Sequence, residues 1–529
     1  VFFLLIEAMA QLQNQPQRQQ SMGHSLLAVI VGGLLIGLGI GMIPAIAWAD
    51  TLAIPDSLKQ IAQTITEFEL DNGMKFVVME RHQAPVVSLQ SYVRAGSVDE
   101  FVGKTGVAHF LEHLAFKGTR TIGTRDYQAE EPLLQAMDAL QAQIQDAKAA
   151  KNTDRVAQLK TAFEEIQTKA ETYVEQNAFS QIVEQAGGVG LNATTSADAT
   201  RYFYSLPANK LELWMSLESD RFMDPVFRGF YKEKDVILEE RRLRVDNSPV
   251  GQMANTMLET AFQVHPYRRP IIGYEADLQR LTRKDVQEFF ETYYTPRHLT
   301  MAVVGDVDPK EVRSLAQLYF DRFPEKQNAI PPIPEEPPQR LPREVTLELP
   351  SQPWYLEAYH RPSIRHPDDP VYQIIERLLE AGRLSRFYRS LVEEQQVALS
   401  VQGLNGFPGD QYPNLLIFYA LTAPDRTLDE VAIALGQELE RLKTESVTPE
   451  ELERVKAQVR ARLLRSLQSN AGMASVLAEY EAKTGSWRNM FREVEAIAAV
   501  TAADVQRVAQ ATFTPNNRTV GRIVPSASP

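Results

Sequence analysis

Two stretches of this 529-residue chain repeat each other, and that repeat constrains the fold more than any other feature. Residues 281–304 read LTRKDVQEFFETYYTPRHLTMAVV, and residues 500–524 read VTAADVQRVAQATFTPNNRTVGRIV. Thr282, Asp285, Val286, Gln287, Thr295, Pro296 and Thr300 recur as Thr501, Asp504, Val505, Gln506, Thr514, Pro515 and Thr519, at a constant offset of 219. Each copy is one helix–turn–strand unit. A unit that recurs once in each half implies a duplicated domain. Between the copies lie Pro331, Pro332, Pro334, Pro337, Pro338 and Pro342, the composition of a semi-rigid linker. The expected organisation is an N-terminal domain over 50–325, a linker over 326–343 and a homologous C-terminal domain over 344–529.

The body after Asp50 reads as α+β. Lys75–Met79 and Val86–Val93 have the β-branched, apolar character of strands. Residues 127–176 have a different texture. Leu133, Met137, Leu140, Ile144 and Ala147 alternate spacings of four and three. After a break at Lys151–Asp154, Val156, Leu159, Phe163, Ile166 and Ala170 do the same. Two consecutive heptad helices predict an inserted antiparallel coiled-coil hairpin. It is either an arm for a partner or substrate, or an insertion packed on its own domain.

Composition excludes several chemistries. The formal charge of −13 leaves no basic excess to neutralise phosphates, which argues against nucleic acid as a partner. There are no cysteines, so disulfides, thiolate metal sites and thiol nucleophiles are ruled out. Any metal must be held by His and carboxylate. Leu26–Ile43 is an unbroken apolar and glycine run, followed by Ala47-Trp48-Ala49 before Asp50. Residues 1–49 therefore read as a cleaved signal peptide or, through 26–49, a membrane anchor. Either places the body outside the cytoplasm, in the periplasm or an equivalent lumen.

The chemistry concentrates in His109-Phe110-Leu111-Glu112-His113, an H-x-x-E-H pattern. His109 and His113 are one helical turn apart, so both imidazoles leave the same side, and Glu112 stays on that side. Catalytic zinc usually takes three protein ligands and leaves a place for water, whose proton a nearby carboxylate can take. The motif supplies two ligands and a base. The third ligand should be a carboxylate on another helix, and the best stretch is Glu233-Lys234-Asp235-Val236-Ile237-Leu238-Glu239-Glu240.

Four segments together resemble one family. HFLEHLAFKGT at 109–119, GGVGLNATTSADATRYFYSLP at 187–207, EKDVILEE at 233–240, and Tyr294-Thr295-Pro296 leading to Val303-Val304-Gly305-Asp306-Val307 are similar to the pitrilysin, insulysin and mitochondrial-processing-peptidase family of zinc metallopeptidases. The resemblance implies Zn2+ held by His109, His113 and Glu240, with Glu112 as general base. Glu233, seven residues before Glu240, resembles the family's supporting carboxylate. Glu239 points about 100° away from Glu240 on a helix and is disfavoured. Asn192-Ala193-Thr194 resembles the edge strand to which the substrate backbone adds. The implied fold is two homologous domains in a clamshell, each a mostly antiparallel sheet with helices on one face. The implied substrates are peptides or unfolded polypeptides.

The chain departs from the family in two places. The third ligand usually follows the zinc helix by about seventy-five residues, whereas Glu240 lies 127 after His113. The surplus matches the predicted hairpin. Active members also carry an Arg and a Tyr, seven apart, in the second half, and alignment puts Val392 and Leu399 there. Neither can donate a hydrogen bond, and losing an oxyanion donor costs roughly 10²–10³ in rate. The expected function is a zinc endopeptidase subunit that needs a homologous partner to supply the Arg/Tyr pair. The alternative is a non-catalytic structural or binding relative.

Overall fold

The computed structural model describes residues 56–325 and 330–526. The expected targeting segment, residues 1–49, lies outside the described residues. Among the described residues no helix is long and apolar enough to cross a membrane.

The first half builds a six-stranded sheet from β1 (Ile65–Glu69), β2 (Lys75–Glu80), β3 (Val86–Val93), β4 (Val189–Thr195), β5 (Thr200–Pro207) and β6 (Leu299–Gly305), in the order β1-β2-β6-β3-β5-β4. The second half builds five strands, β7 (Arg343–Leu349), β8 (Trp354–Arg361), β9 (Ala398–Phe407), β10 (Asn414–Thr422) and β11 (Arg518–Pro525), in the order β7-β11-β8-β10-β9. Without β1 the two sheets have one topology. The pair β2/β6 is parallel, as is β7/β11, and all other neighbours in both sheets are antiparallel. The duplication read from the sequence is thus a duplicated fold, α+β with mostly antiparallel sheets.

The helices that shape the site and join the halves are α1 (Val107–Leu114), α2 (Tyr127–Ala149), α3 (Thr153–Glu171), α4 (Phe230–Arg241), α5 (Pro249–Ala261), α6 (Arg283–Tyr293), α7 (Asp369–Glu380), α8 (Pro449–Ser466), α9 (Asn470–Thr484) and α10 (Ala502–Thr512). The sequence repeat covers α6 with β6 and α10 with β11. Its recurring Thr and Asp have a local reason. Thr282 Oγ1 accepts from Asp285 N (3.2 Å) while Asp285 Oδ2 accepts from Thr282 N (2.8 Å). Thr501 and Asp504 do the same at 3.2 and 3.0 Å. Each is a capping box that satisfies helix N-terminal donors reciprocally.

The central strands are buried on both faces, which is why they read as continuous apolar runs. Phe76 and Val78 of β2, and Met301 and Val303 of β6, face the helices of their own half. Val77, Met79, Ala302 and Val304 alternate to the opposite face and meet Met473, Ala474, Leu477 and Ala478 of α9, a helix from the second half. The exchange is reciprocal. On the second sheet, Trp354, Leu356, Ala358, Leu415 and Ile417 pack against Val250, Met253, Ala254, Met257 and Leu258 of α5, from the first half. Two homologous halves thus each lend a helix to the other's sheet, and two shared apolar cores weld them together.

The inserted hairpin is present as α2 and α3. Met137, Ile144, Ala147 and Leu159 are buried, with Leu140, Val156 and Phe163 packed around them. The heptad seam differs from expectation at its base, where Leu134 rather than Leu133 is buried, in a turn that lines a cavity with Phe116 and Arg228 of the domain as well as with Gln167 and Ala170 of its partner helix. Asp138 accepts from Tyr231 Oη (2.9 Å) and from Arg283 (2.6 Å), and the Phe163 ring meets Tyr231 edge-on at 5.0 Å. The base of the hairpin therefore braces α4.

Candidate metal centre

Helix α1 starts at Gly106, whose φ of +87° and whose position 2.6 Å from Ile272 O (measured from where a Cβ would sit) leave no room for a side chain. The Glu100 carboxylate accepts from Gly106 N (2.9 Å) and Ala108 N (3.0 Å), satisfying orphan donors of the first turn. Phe110 and Leu114 point into the core, and Phe110 stacks on Phe230 of α4 at 4.6 Å. That contact sets α1 against α4 and turns the opposite face, His109, Glu112 and His113, toward Glu233 and Glu240.

The structure brings His109, His113 and Glu240 together, with one ligand atom from each lying within 4.8 Å of the others. His109 Nε2 is 3.8 Å from Glu240 Oε1, and His113 Nε2 is 3.5 Å from Glu240 Oε2. Both Nε2 atoms thus face one carboxylate. Burial pushes the His109 pKa well below its usual value, aided by the charges of His113 and Arg244, so the ring is neutral and can offer a lone pair. This all-His/carboxylate donor set fits zinc.

Glu233 stands behind His113. Its Oε1 lies 2.9 Å from His113 Nδ1, and Lys117 Nζ lies 2.6 Å from its Oε2. A hydrogen bond at Nδ1 fixes the ring so that Nε2 faces Glu240. Burial alone would raise the Glu233 pKa, but the bonds from His113 and Lys117 outweigh it and hold the carboxyl below its ordinary range. Glu239, by contrast, is half exposed and pairs with Arg242.

Glu112 lies partly buried beside this group. Burial pushes its carboxyl up, against a hydrogen bond from Thr195 Oγ1 to its Oε2 at 2.5 Å. A carboxylate with a raised pKa is suited to taking a proton near neutrality. Thr195 ends β4, the edge strand of the first sheet. Asn192, Ala193 and Thr194 occupy the same strand, where a one-residue bulge separates Val189 from Asn192. Ala193 and Thr195 turn inward and Asn192 and Thr194 outward, by the ordinary alternation of a strand.

Sequence reasoning missed three contributors. Thr195 adjoins the quoted Asn192–Thr194 run, and strand alternation alone would have separated it from Thr194. Lys117 sits four after His113, one turn further on. Arg244, in a π-helical turn that continues α4, lies 3.1 Å from Glu240 Oε1. No local pattern announces a π-turn. At the duplicated positions the second half has no such site, since the counterparts of Glu233 and Glu240 at the 219 offset are Leu452 and Val459, both in its apolar core. Val392 packs against that core, and Leu399 lies half exposed on β9. Arg386, a nearby donor, is held by Glu451 at 2.9 and 2.8 Å.

Comparison with known proteins assigns the fold to a family. The family described as insulinase (peptidase family M16) matches residues 75–145 and 163–275, and the peptidase M16 inactive domain matches 280–459. The gap at 146–162 falls at the tip of the α2–α3 hairpin. A zinc protease of Helicobacter pylori, PqqE, is 28% identical over 418 residues, covering 78% of this chain and 82% of the relative. A probable mitochondrial-processing peptidase subunit beta of Schizosaccharomyces pombe is 25% identical over 453 residues, covering 83% and 87%. The crystal structure of a protease from Helicobacter pylori superposes with a TM-score of 0.73 at 25% identity, covering 87% of this chain and 99% of that one. With its duplicated fold and its H-x-x-E-H helix, this chain belongs to peptidase family M16, a family of zinc proteases.

Proposed function

We propose that the chain is a zinc endopeptidase subunit that cleaves peptides and unfolded polypeptides. The observation that carries this reading is the convergence of His109, His113 and Glu240 beside a partly buried Glu112. His109, His113 and Glu240 hold the metal. When bound, zinc supplies a Lewis acid that polarises the scissile carbonyl and brings the pKa of water toward neutrality. Glu233 keeps the His113 ring oriented. The substrate backbone adds to the free edge of β4 at Asn192-Ala193-Thr194, which presents an extended peptide and excludes folded ones. Glu112 takes the proton of the attacking water as the new C–O bond forms. It returns that proton to the departing nitrogen as the C–N bond breaks.

The half-site is completed by a homologous partner chain that supplies the Arg/Tyr pair, because Val392 and Leu399 can donate nothing to a developing oxyanion. The domains are 50–325, with its hairpin at 127–176, and 344–529, joined by the linker 326–343. The apolar run within 26–49 places the body outside the cytoplasm. Peptide cleavage by the purified chain with and without its homologous partner tests the reading. Cleavage only in the mixture supports it, and equal cleavage in both would refute the shared site. A non-catalytic role is favoured only if purified protein carries no zinc and His109→Ala changes nothing.

A further inference from the structure

The turns of the two edge hairpins meet tip to tip. In the first half, Ser196–Ala199 joins β4 to β5; in the second half, Pro408–Pro413 joins β9 to β10, the topological counterparts. Asp198 stands at the contact and is 3% exposed. Its Oδ2 accepts from Asp410 N (2.8 Å) and Gln411 N (3.1 Å), both in the second half. Its Oδ1 accepts from Tyr267 Oη (2.5 Å), and that same hydroxyl accepts from Tyr412 N (3.3 Å). Gly409 passes so close that a Cβ there would lie 2.5 Å from Asp198 Oδ2. Two successive backbone N–H groups around one carboxylate form a small anion nest. Lys483 of the exchanged helix α9 adds charge nearby, 2.6 Å from Asp410 Oδ1 and 2.6 Å from Glu479 Oε1.

The same turn leads directly to the metal centre. Three residues before Asp198, Thr195 donates to Glu112. The first half grips the turn from its other side, through Ser97 N to Ser196 O (3.2 Å) and Val98 N to Ala197 O (2.9 Å). An edge strand has a neighbour on one side only, so its position depends unusually on what holds its ends.

We infer that Asp198 is a positioning residue for the reaction: by docking in the Gly409–Gln411 nest it lets the second half fix the substrate-receiving strand β4 and, through Thr195, the general base Glu112. The inference rests on the function proposed above for β4 and Glu112. It gives the second half, which lacks a metal site of its own at the duplicated positions, a part in catalysis within the same chain.

Asp198→Asn keeps the shape of the side chain but removes its charge and leaves one accepting oxygen where two accept now, from Tyr267 on one side and the backbone N–H groups on the other. Gly409→Ala perturbs the same contact from the second half and serves if the first variant fails to fold. Both are made in the full chain, assayed with its homologous partner on a fluorogenic peptide. The expected result is unchanged zinc stoichiometry, a raised KM, a lowered kcat per folded chain, and kcat/KM down roughly 10- to 100-fold. A mere loss of folded protein lowers apparent kcat and leaves KM alone. In the metal-free chain, amide hydrogen exchange should accelerate over 189–200 in both variants. In combination with Thr195→Val, Asp198→Asn should lower kcat no further than Thr195→Val alone. Independent, multiplying losses in kcat, or unchanged exchange over 189–200, would overturn the inference. Cleavage surviving in Glu112→Gln would instead overturn the base assignment on which it rests.

Discussion

In the proposed metal centre, Glu233→Gln separates the support of a ligand from the ligand itself. Glu233 is 11% exposed, lies 2.9 Å from His113 Nδ1 and is paired with Lys117 at 2.6 Å. Glutamine keeps an oxygen for His113 but loses the charge facing the ring. Lys117, about a third exposed, can recover its loss from water. The loss therefore falls on the orientation and basicity of His113. Removing such a partner typically costs 10–100-fold in metal affinity, about 1.4–2.7 kcal/mol. The pH dependence carries a definite sign. Burial opposes a proton on His113, but the Glu233 hydrogen bond and the charges of Glu240 and Glu112 outweigh it, and the pKa is raised. A proton therefore competes with zinc for wild-type His113 as pH falls. Without Glu233 that competition weakens, so the affinity deficit should be widest near pH 8 and narrow near pH 6. Titration against a chromophoric chelator at both pH values measures it. A zinc Kd within twofold of wild type at pH 8, or a deficit that widens in acid, would refute the reasoning.

Three other perturbations test separate parts of the molecule. Arg228→Met removes a buried guanidinium that donates to both Glu130 oxygens and to the carbonyls of Lys117, Thr119 and Ile122. It strands a fully buried Glu130 and should cost about 3–5 kcal/mol in denaturant unfolding, and a cost under about 1 kcal/mol would show the pair to be incidental. Burial pushes the Glu493 carboxyl up to about 7 despite the Tyr480 hydroxyl. Its contribution to stability is then full below about pH 4.5 and lost as pH rises through 7, so Glu493→Gln should flatten the fall in Tm between pH 5 and 8; an unchanged slope counts against it. Affinity purification of the chain should co-isolate a homologue without the H-x-x-E-H motif and with the Arg/Tyr pair, and recovery of the chain alone, fully active, would exclude a shared site.

What the sequence revealed was local. The Thr282/Asp285 and Thr501/Asp504 capping boxes are four-residue features, so the duplication could be read before any contact was known. The H-x-x-E-H helix was legible because a 3.6-residue period fixes which side chains share a face. The hairpin was legible from its heptads, though at its base Leu134 rather than Leu133 is buried, where the turn lines a cavity shared by the domain (Phe116, Arg228) and α3 (Gln167, Ala170). The exchange of α5 and α9 was invisible, because an amphipathic helix does not state which sheet it will cover. The same limit hid Thr195 from Glu112, 83 residues away, and Asp198 from Gln411, 213 residues away. Such contacts depend on strand register and on how the halves dock, and neither leaves a periodic trace.

The most direct test is the zinc content of the purified chain and of two variants, measured by elemental analysis beside peptide cleavage in the presence of the partner. The expected result is about one zinc per wild-type chain, strongly reduced zinc in Glu240→Gln, and full zinc with cleavage abolished in Glu112→Gln. Wild-type protein that binds no zinc, or a Glu240→Gln variant that retains it fully, would contradict a metal centre built on His109, His113 and Glu240.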